Sequence, residues 1–277
     1  MSATVVTLAL FAAILHATWN AVLRIGADRL WTITVMSFTM TIVAIPLAFM
    51  LPLPPSSAWL YLILSSCLQV GYSIFLVAAY RYGELGQVYP IVRGSVPLLV
   101  TLGGFVLAGQ HLTILPIFGI VLVALGIMSL ALGKGRAKTT SILFALATGL
   151  LIAAYTTVDA IGVREAGNPA VYATWICLIY GTLLPAAYVT IRGRLTLDIR
   201  SPETLKAAAG GLVSLMAYGA VIAAFALGPV GPITALRETS VVFAALIGWF
   251  FLGEALTLRR ISACAIVALG AICLGGA

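Results

Sequence analysis

The sequence predicts an all-α integral membrane protein, with ten transmembrane helices forming two inverted-topology five-helix repeats around a central cavity. Three observations carry this expectation. Of 277 residues, 62% are hydrophobic and only 8% are charged, and the mean hydropathy is +1.15. A soluble domain carries about 25% charged residues, so a chain this poor in ionic groups cannot cover a water-facing surface. Apolar runs of about twenty residues, the length needed to cross a bilayer, follow one another along the chain. The second half repeats landmarks of the first at a nearly constant offset.

The runs can be taken in order. The first, 3–24, has no cation ahead of it, and Arg24 follows it; it is expected to be a retained span and not a signal peptide. GADR (26–29) and LPLPP (51–55) separate it from runs two and three, 31–51 and 57–80. RYGELG (81–86) precedes run four, 86–108, in which Pro90, Gly94 and Pro97 loosen the helix and free backbone carbonyls at a cavity. Run five, 113–132, ends at GKGRAK (133–138), and run six covers 140–162. REAGNP (164–169), RGRLTLDIRSPE (192–203) and GPVGP (228–232) lead into runs seven (169–191), eight (204–226) and nine (230–252), and run ten is 259–276. Glycine, proline and charge mark each break. The chain divides into a first repeat, 1–133, a basic linker, 134–139, and a second repeat, 140–277.

The net charge of +7 is not the footprint of a nucleic-acid partner. The cations sit at the ends of apolar runs, where they orient spans against anionic lipid; the partners expected are the lipid bilayer and a small-molecule substrate. Odd-numbered loops hold Arg24, Arg29, Arg81, Lys134, Arg136, Lys138, Arg192, Arg194, Arg200, Lys206, Arg259 and Arg260, and even loops hold Arg164. The positive-inside rule places the odd loops in the cytoplasm and both termini outside, in a multi-pass bacterial-type inner (plasma) membrane. Cys67, Cys177, Cys264 and Cys273 lie in apolar runs without a CxxC or a neighbouring histidine cluster, so neither a structural disulfide nor a metal site is expected.

VALG at 123–126 recurs at 267–270, and YPIVRGS (89–95) lies where TALRETS (234–240) lies. Arg93 and Arg237 are 144 residues apart, as are Gly126 and Gly270. GELG (83–86) matches GPVG (228–231) at 145, which puts one extra residue in the first half. LFAAILHATWNAVLRIG (10–26) resembles LFALATGLLIAAYTTVDAIG (143–162). Five helices per half is an odd number, so the halves enter the membrane in opposite senses. Such inverted repeats occur in many secondary transporters, with the substrate near the midplane at the repeat interface.

Two halves of this length, Trp19 late in the first helix, and a G-E/Q-x-L-T signature after helices 4 and 9 resemble the EamA-type ten-helix branch of the drug/metabolite transporter superfamily. Gly253, Glu254, Leu256 and Thr257 match the second-half signature, and Gly109, Leu112 and Thr113 the first, where Gln110 replaces the usual glutamate. Pro97 matches a proline common in helix 4; Val241 stands at its counterpart. The resemblance implies a basket of helices around a cavity, alternating access, and export or exchange of small metabolites. Superfamily members move amino acids, drugs, nucleotide sugars and triose phosphates.

Polar groups inside spans mark the candidate site. Arg93 and Arg237 each fall about seven residues into a span, roughly 10 Å deep. Ionisable groups at such depth are a functional-site hypothesis by default, and a guanidinium fits carboxylate or phosphate. Pairing with a carboxylate such as Glu238, or snorkelling to headgroups, remains the structural alternative. His16, Trp19 and Asn20 share one side of helix 1 and suggest a cavity wall. An imidazole titrates near physiological pH, so His16 is a candidate for proton coupling, substrate binding or interhelical bonding. Tyr155 and Asp159, one turn apart on helix 6, suggest the opposite wall. Asp159 and Glu238 are further proton-coupling candidates. Tyr89, Trp175 and Tyr218 are candidate lining aromatics, against an alternative as interface anchors. Glu84 and Glu254 are expected at the surface, the latter near Arg259 or Arg260.

No GxxxxGK[ST], GxSxG or HExxH motif occurs, which argues against direct ATP drive and against an intramembrane hydrolase. No catalytic residue and no cofactor is expected. The leading expectation is a secondary active exporter or exchanger of amino acids or related carboxylates, driven by protons or by a counter-solute. Phosphorylated or phosphonate anions and drug-like cations are the alternatives, with an intramembrane enzyme or a scaffold outside transport. One chain holds both repeats, so a monomer suffices, with a dimer also open.

Overall fold

The computed structural model describes residues 1–26, 28–82, 85–131, 138–252, 255 and 257–276. Among them the ordered elements are helices. They are α1 (Ala3–Ile25), α2 (Arg29–Met50), α3 (Trp59–Tyr82, preceded by a 3-10 turn at Ser56–Ala58), α4 (Leu85–Ala108), α5 (Ile114–Ser129) and α6 (Thr139–Ala166). In the second half follow α7 (Pro169–Arg192), α8 (Pro202–Leu227), α9 (Val230–Glu238), α10 (Ser240–Leu252) and α11 (Leu258–Gly275).

The helix starts follow local chemistry. Asp28, Asn168 and Ser201 accept from backbone N–H groups one turn ahead, and Pro169 and Pro202 occupy first-turn positions that need no donor. Gly167 ends α6 in the left-handed region at φ 65°, which a side chain would disfavour. Among the described residues nine stretches are long and apolar enough to cross a membrane, and α5 is a shorter apolar helix of 16 residues, about 24 Å at 1.5 Å per residue.

The ninth span, expected at 230–252, is one crossing segment, Val230–Phe250. Its helical ladder is interrupted at Thr239 between α9 and α10, where the backbone stays right-handed at φ −60° and ψ −11°. The Thr239 hydroxyl donates to the Leu236 carbonyl at 2.6 Å, and Val242 N–H donates to the Thr239 carbonyl at 2.8 Å. A side chain competing for a helical carbonyl and a tight i→i+3 turn replace the regular ladder there.

The packing is a two-fold pattern. α2 packs on α7 and α5 on α11, each helix meeting its own repeat counterpart. α3 packs on α6 while α1 packs on α8, and α4 packs on α6 while α1 packs on α9 and α10; the repeat operation exchanges the members of each set. The α5–α11 crossing needs glycine, because a Cβ on Gly270 would lie 2.7 Å from the Gly119 carbonyl oxygen and one on Gly119 would lie 2.9 Å from that of Gly270. Small residues let membrane helices approach this closely. Large apolar side chains such as Phe49, Ile114 and Leu258 cover the outside, as hydrocarbon surroundings allow. Polar side chains are drawn inward.

Candidate functional site

Eight helices enclose a cavity of about 90 Å³ between the repeats. Drug-sized sites are about 300–1,000 Å³, and this cavity is well below that range. α1 contributes His16 and Trp19, and α6 contributes Tyr155, Thr156 and Asp159. Arg93 of α4 and Arg237 of α9 close one side; Tyr218 and Phe225 of α8 close another. Residues whose importance the sequence had not brought out complete the wall: Gln69 and Tyr72 on α3, Met36 and Met40 on α2. Gln69, an amide in the middle of an apolar run, was visible by the same rule that singled out His16.

The two repeat-related arginines converge on one carboxylate. Arg93 Nη1 donates to Glu238 Oε1 at 3.3 Å and lies 3.5 Å from Oε2, and Arg237 Nη2 donates to Oε1 at 3.0 Å. Glu238 is 1% exposed and each arginine 6%. Consecutive helical residues point about 100° apart, yet Arg237 and Glu238 pair directly, the internal pairing that the sequence left open as the alternative for Arg237. The repeat counterpart of Glu238 is Gly94, where a Cβ would lie 2.5 Å from Met128 Cγ and 3.0 Å from the Ala124 carbonyl oxygen. The cations are therefore duplicated and the anion is not. Arg237 Nε is buried without a partner among the described residues. Tyr89 lies under Arg93, with Cζ 5.4 Å from its ring centre, a cation–π contact; it stands behind the cavity wall.

Across the cavity, Asp159 is 1% exposed. Its Oδ1 accepts from the Tyr172 hydroxyl at 3.1 Å and its Oδ2 from the Tyr218 hydroxyl at 2.9 Å. Thr156, one turn earlier, has a buried hydroxyl without a partner among the described residues, and His16 Nε2 is likewise unpartnered there. The His16 and Trp19 rings meet edge to face at 4.8 Å. Asn20 is not in the lining; its amide donates to the His16 carbonyl at 2.7 Å on its own helix. Trp175 also lies outside the lining, packed on Trp59 at 5.0 Å between ring centres. Tyr155 packs on Tyr72 at 5.8 Å.

Gln110 has a role of its own. Its Oε1 accepts from Val230 N–H at 3.0 Å, so the loop after α4 caps the first turn of α9 in the other repeat. Glu84, Gly253, Glu254 and Leu256, as well as most of the basic linker, lie outside the described residues.

No curated protein matches the sequence. A solved crystal structure of a protein shares 20% identity over 97% of this chain and 94% of that one, with a TM-score of 0.77; at this identity the likeness is one of fold. The sequence matches the EamA-like transporter family twice, over residues 3–132 and 139–276. Two family matches, one to each helical repeat, cover nearly the whole chain, and this multi-pass membrane protein belongs to the EamA-like transporter family.

Proposed function

We propose that this transporter is a secondary active carrier of small carboxylate-bearing metabolites, amino acids foremost, working by alternating access as an exporter or exchanger. The observation that carries the reading is the arginine pair at the cavity wall, half-neutralised by Glu238, with Arg237 Nε left for a ligand. A carboxylate matches one unneutralised guanidinium. A phosphorylated dianion finds only one surplus positive charge, because Glu238 already occupies part of the pair. A drug-like cation meets two arginines in a small cavity.

The repeat supports a motion. α9–α10 breaks at Thr239, whose counterpart Ser95 lies in the unbroken α4. In an inverted repeat the two halves exchange conformations between the inward- and outward-facing states. Gly94 and Pro97 flank Ser95, and Pro97 has no N–H for the Arg93 carbonyl. By that exchange the interruption of the ladder moves to Gly94–Pro97 of α4 in the opposite state, and the ladder through Thr239 is restored. The drive is a proton gradient or a counter-solute, with His16, Asp159 and Glu238 the groups able to carry a proton. The charge bias of the loops favours a bacterial-type plasma membrane with both termini outside; a reporter after Ala277 that proved cytoplasmic would reverse that orientation.

The test is ligand-dependent thermal stabilisation of the purified protein and of Arg93→Ala. Stabilisation by carboxylates that disappears in the folded variant supports the reading. Stabilisation by organic cations, unchanged in the variant, overturns it.

A further inference from the structure

The carboxylate site accounts for only one side of the cavity. Among the described residues its charged lining groups are Arg93, Arg237 and Asp159, with Glu238 directly behind the arginines. Two cations and two anions sum to zero, but they are not interleaved. The surplus positive charge stands on the α4–α9 side, and the lone carboxylate of Asp159 stands on α6. A simple anion would answer the arginines and leave Asp159 with no cation bonded to it among the described residues, Arg237 acting on it only across the cavity. A buried charge without a bonded counter-ion is costly. A solute carrying both charges answers both walls.

The surroundings of Asp159 are those of a prepared acceptor. Hydroxyls of Tyr172 and Tyr218 donate to its two oxygens, and these charge-assisted bonds fix the carboxylate. Ser65 is a third side-chain partner of the carboxylate, whose roughly four acceptor sites leave room for one further donor. Beside it, Thr156 is 0% exposed and its hydroxyl has no partner among the described residues. An ammonium group offers three donors and no acceptor, which suits the carboxylate and the free hydroxyl together. Tyr218 lines the same cavity, and an aromatic ring attracts an ammonium.

We infer that Asp159, with Thr156 beside it and Tyr172 and Tyr218 holding it, is the subsite for the ammonium group of a small zwitterionic amino acid whose carboxylate meets Arg93 and Arg237. This rests on the carboxylate reading above and adds the second half of the ligand. Asp159 contacts the substrate; Tyr172 is a positioning residue.

The test compares matched probes that differ by one charged group. L-alanine, propionate and ethylamine form a small set, and L-phenylalanine, 3-phenylpropionate and phenethylamine a large one. Binding is read by thermal shift and by competition on the full-length protein. The expected result is L-alanine at least about tenfold tighter than propionate, the discrimination that one charge-assisted hydrogen bond supplies, with ethylamine weaker still. In Asp159→Asn that preference collapses, and L-alanine falls to the level of propionate. Should Asp159→Asn fail to fold, Thr156→Val is read instead, with a preference reduced several-fold. Propionate as tight as L-alanine in the native protein overturns the ammonium subsite and leaves the carboxylate site standing. An unchanged ratio in Asp159→Asn, with altered proton coupling, overturns the subsite and makes Asp159 a proton carrier. Failure of the acids and amino acids of both sets overturns both readings.

Discussion

Glu238→Gln removes the single negative charge that Arg93 and Arg237 share and leaves the shape of the side chain almost unchanged. Breaking a buried ion pair from one side costs about 3–5 kcal/mol. The lower end applies here, because the glutamine oxygen still accepts from one guanidinium. Unfolding entropy of about 2.1 cal/mol/K per residue gives roughly 0.6 kcal/mol/K for 277 residues, so the apparent Tm falls by about 5 °C. The same substitution exposes both cations to ligand. Propionate at about a hundred times its Kd returns about 2.7 kcal/mol, close to 4–5 °C on the same scale. The assay is a detergent-solubilised thermal shift with and without propionate, native protein beside variant. The variant is expected to start lower and to gain more from the carboxylate than the native protein does. A variant as stable as the native protein, or a loss that no carboxylate recovers, refutes the view that Glu238 is the built-in counter-ion of this pair.

Other outcomes follow from particular contacts. Arg237→Ala leaves the Arg93–Glu238 pair intact, so the protein folds but carboxylate binding weakens at least about tenfold by titration, the worth of one charge-assisted bond. Pro97→Ala gives the Arg93 carbonyl a helical donor; substrate binding stays within about twofold while turnover in proteoliposomes slows, since a completed α4 ladder resists interruption. Gly119→Ala puts a Cβ 2.9 Å from the Gly270 carbonyl oxygen and Leu274 Cγ; the cost is about 1–3 kcal/mol of overpacking, seen as a lower Tm with unchanged ligand affinity. Gln110→Ala removes the acceptor for Val230 N–H and lowers stability by about 1 kcal/mol, as loss of a helix cap does.

The fold was largely legible because hydrocarbon imposes strong rules on sequence. Apolar runs had to reach span length, and the turn residues between them marked most helix ends within a few positions, as at Asn168–Pro169 and Ser201–Pro202. The repeat was legible in Arg93 and Arg237, and their convergence follows from it. What escaped was local competition. The break at Thr239 depends on one hydroxyl turning back to Leu236, in a run whose apolar character favours continuity. The polar stripe on α1 points inward through His16 and Trp19, but one helix has several polar directions, and Asn20 spends its amide on the His16 carbonyl. Tyr172 escaped because its role comes from crossing to Asp159 on α6, and pairing between helices leaves no trace in spacing. Trp175 illustrates the reverse, an aromatic deep in a span that packs on Trp59 away from the cavity.

The central claim is that the arginine pair receives the carboxylate of a transported solute. Counterflow of labelled L-alanine in proteoliposomes, with native protein and Arg93→Ala side by side, tests it most directly. The account predicts uptake stimulated by unlabelled L-alanine on the opposite side, falling to the protein-free background in Arg93→Ala at equal folded protein. Counterflow in Arg93→Ala equal to that of the native protein would contradict it.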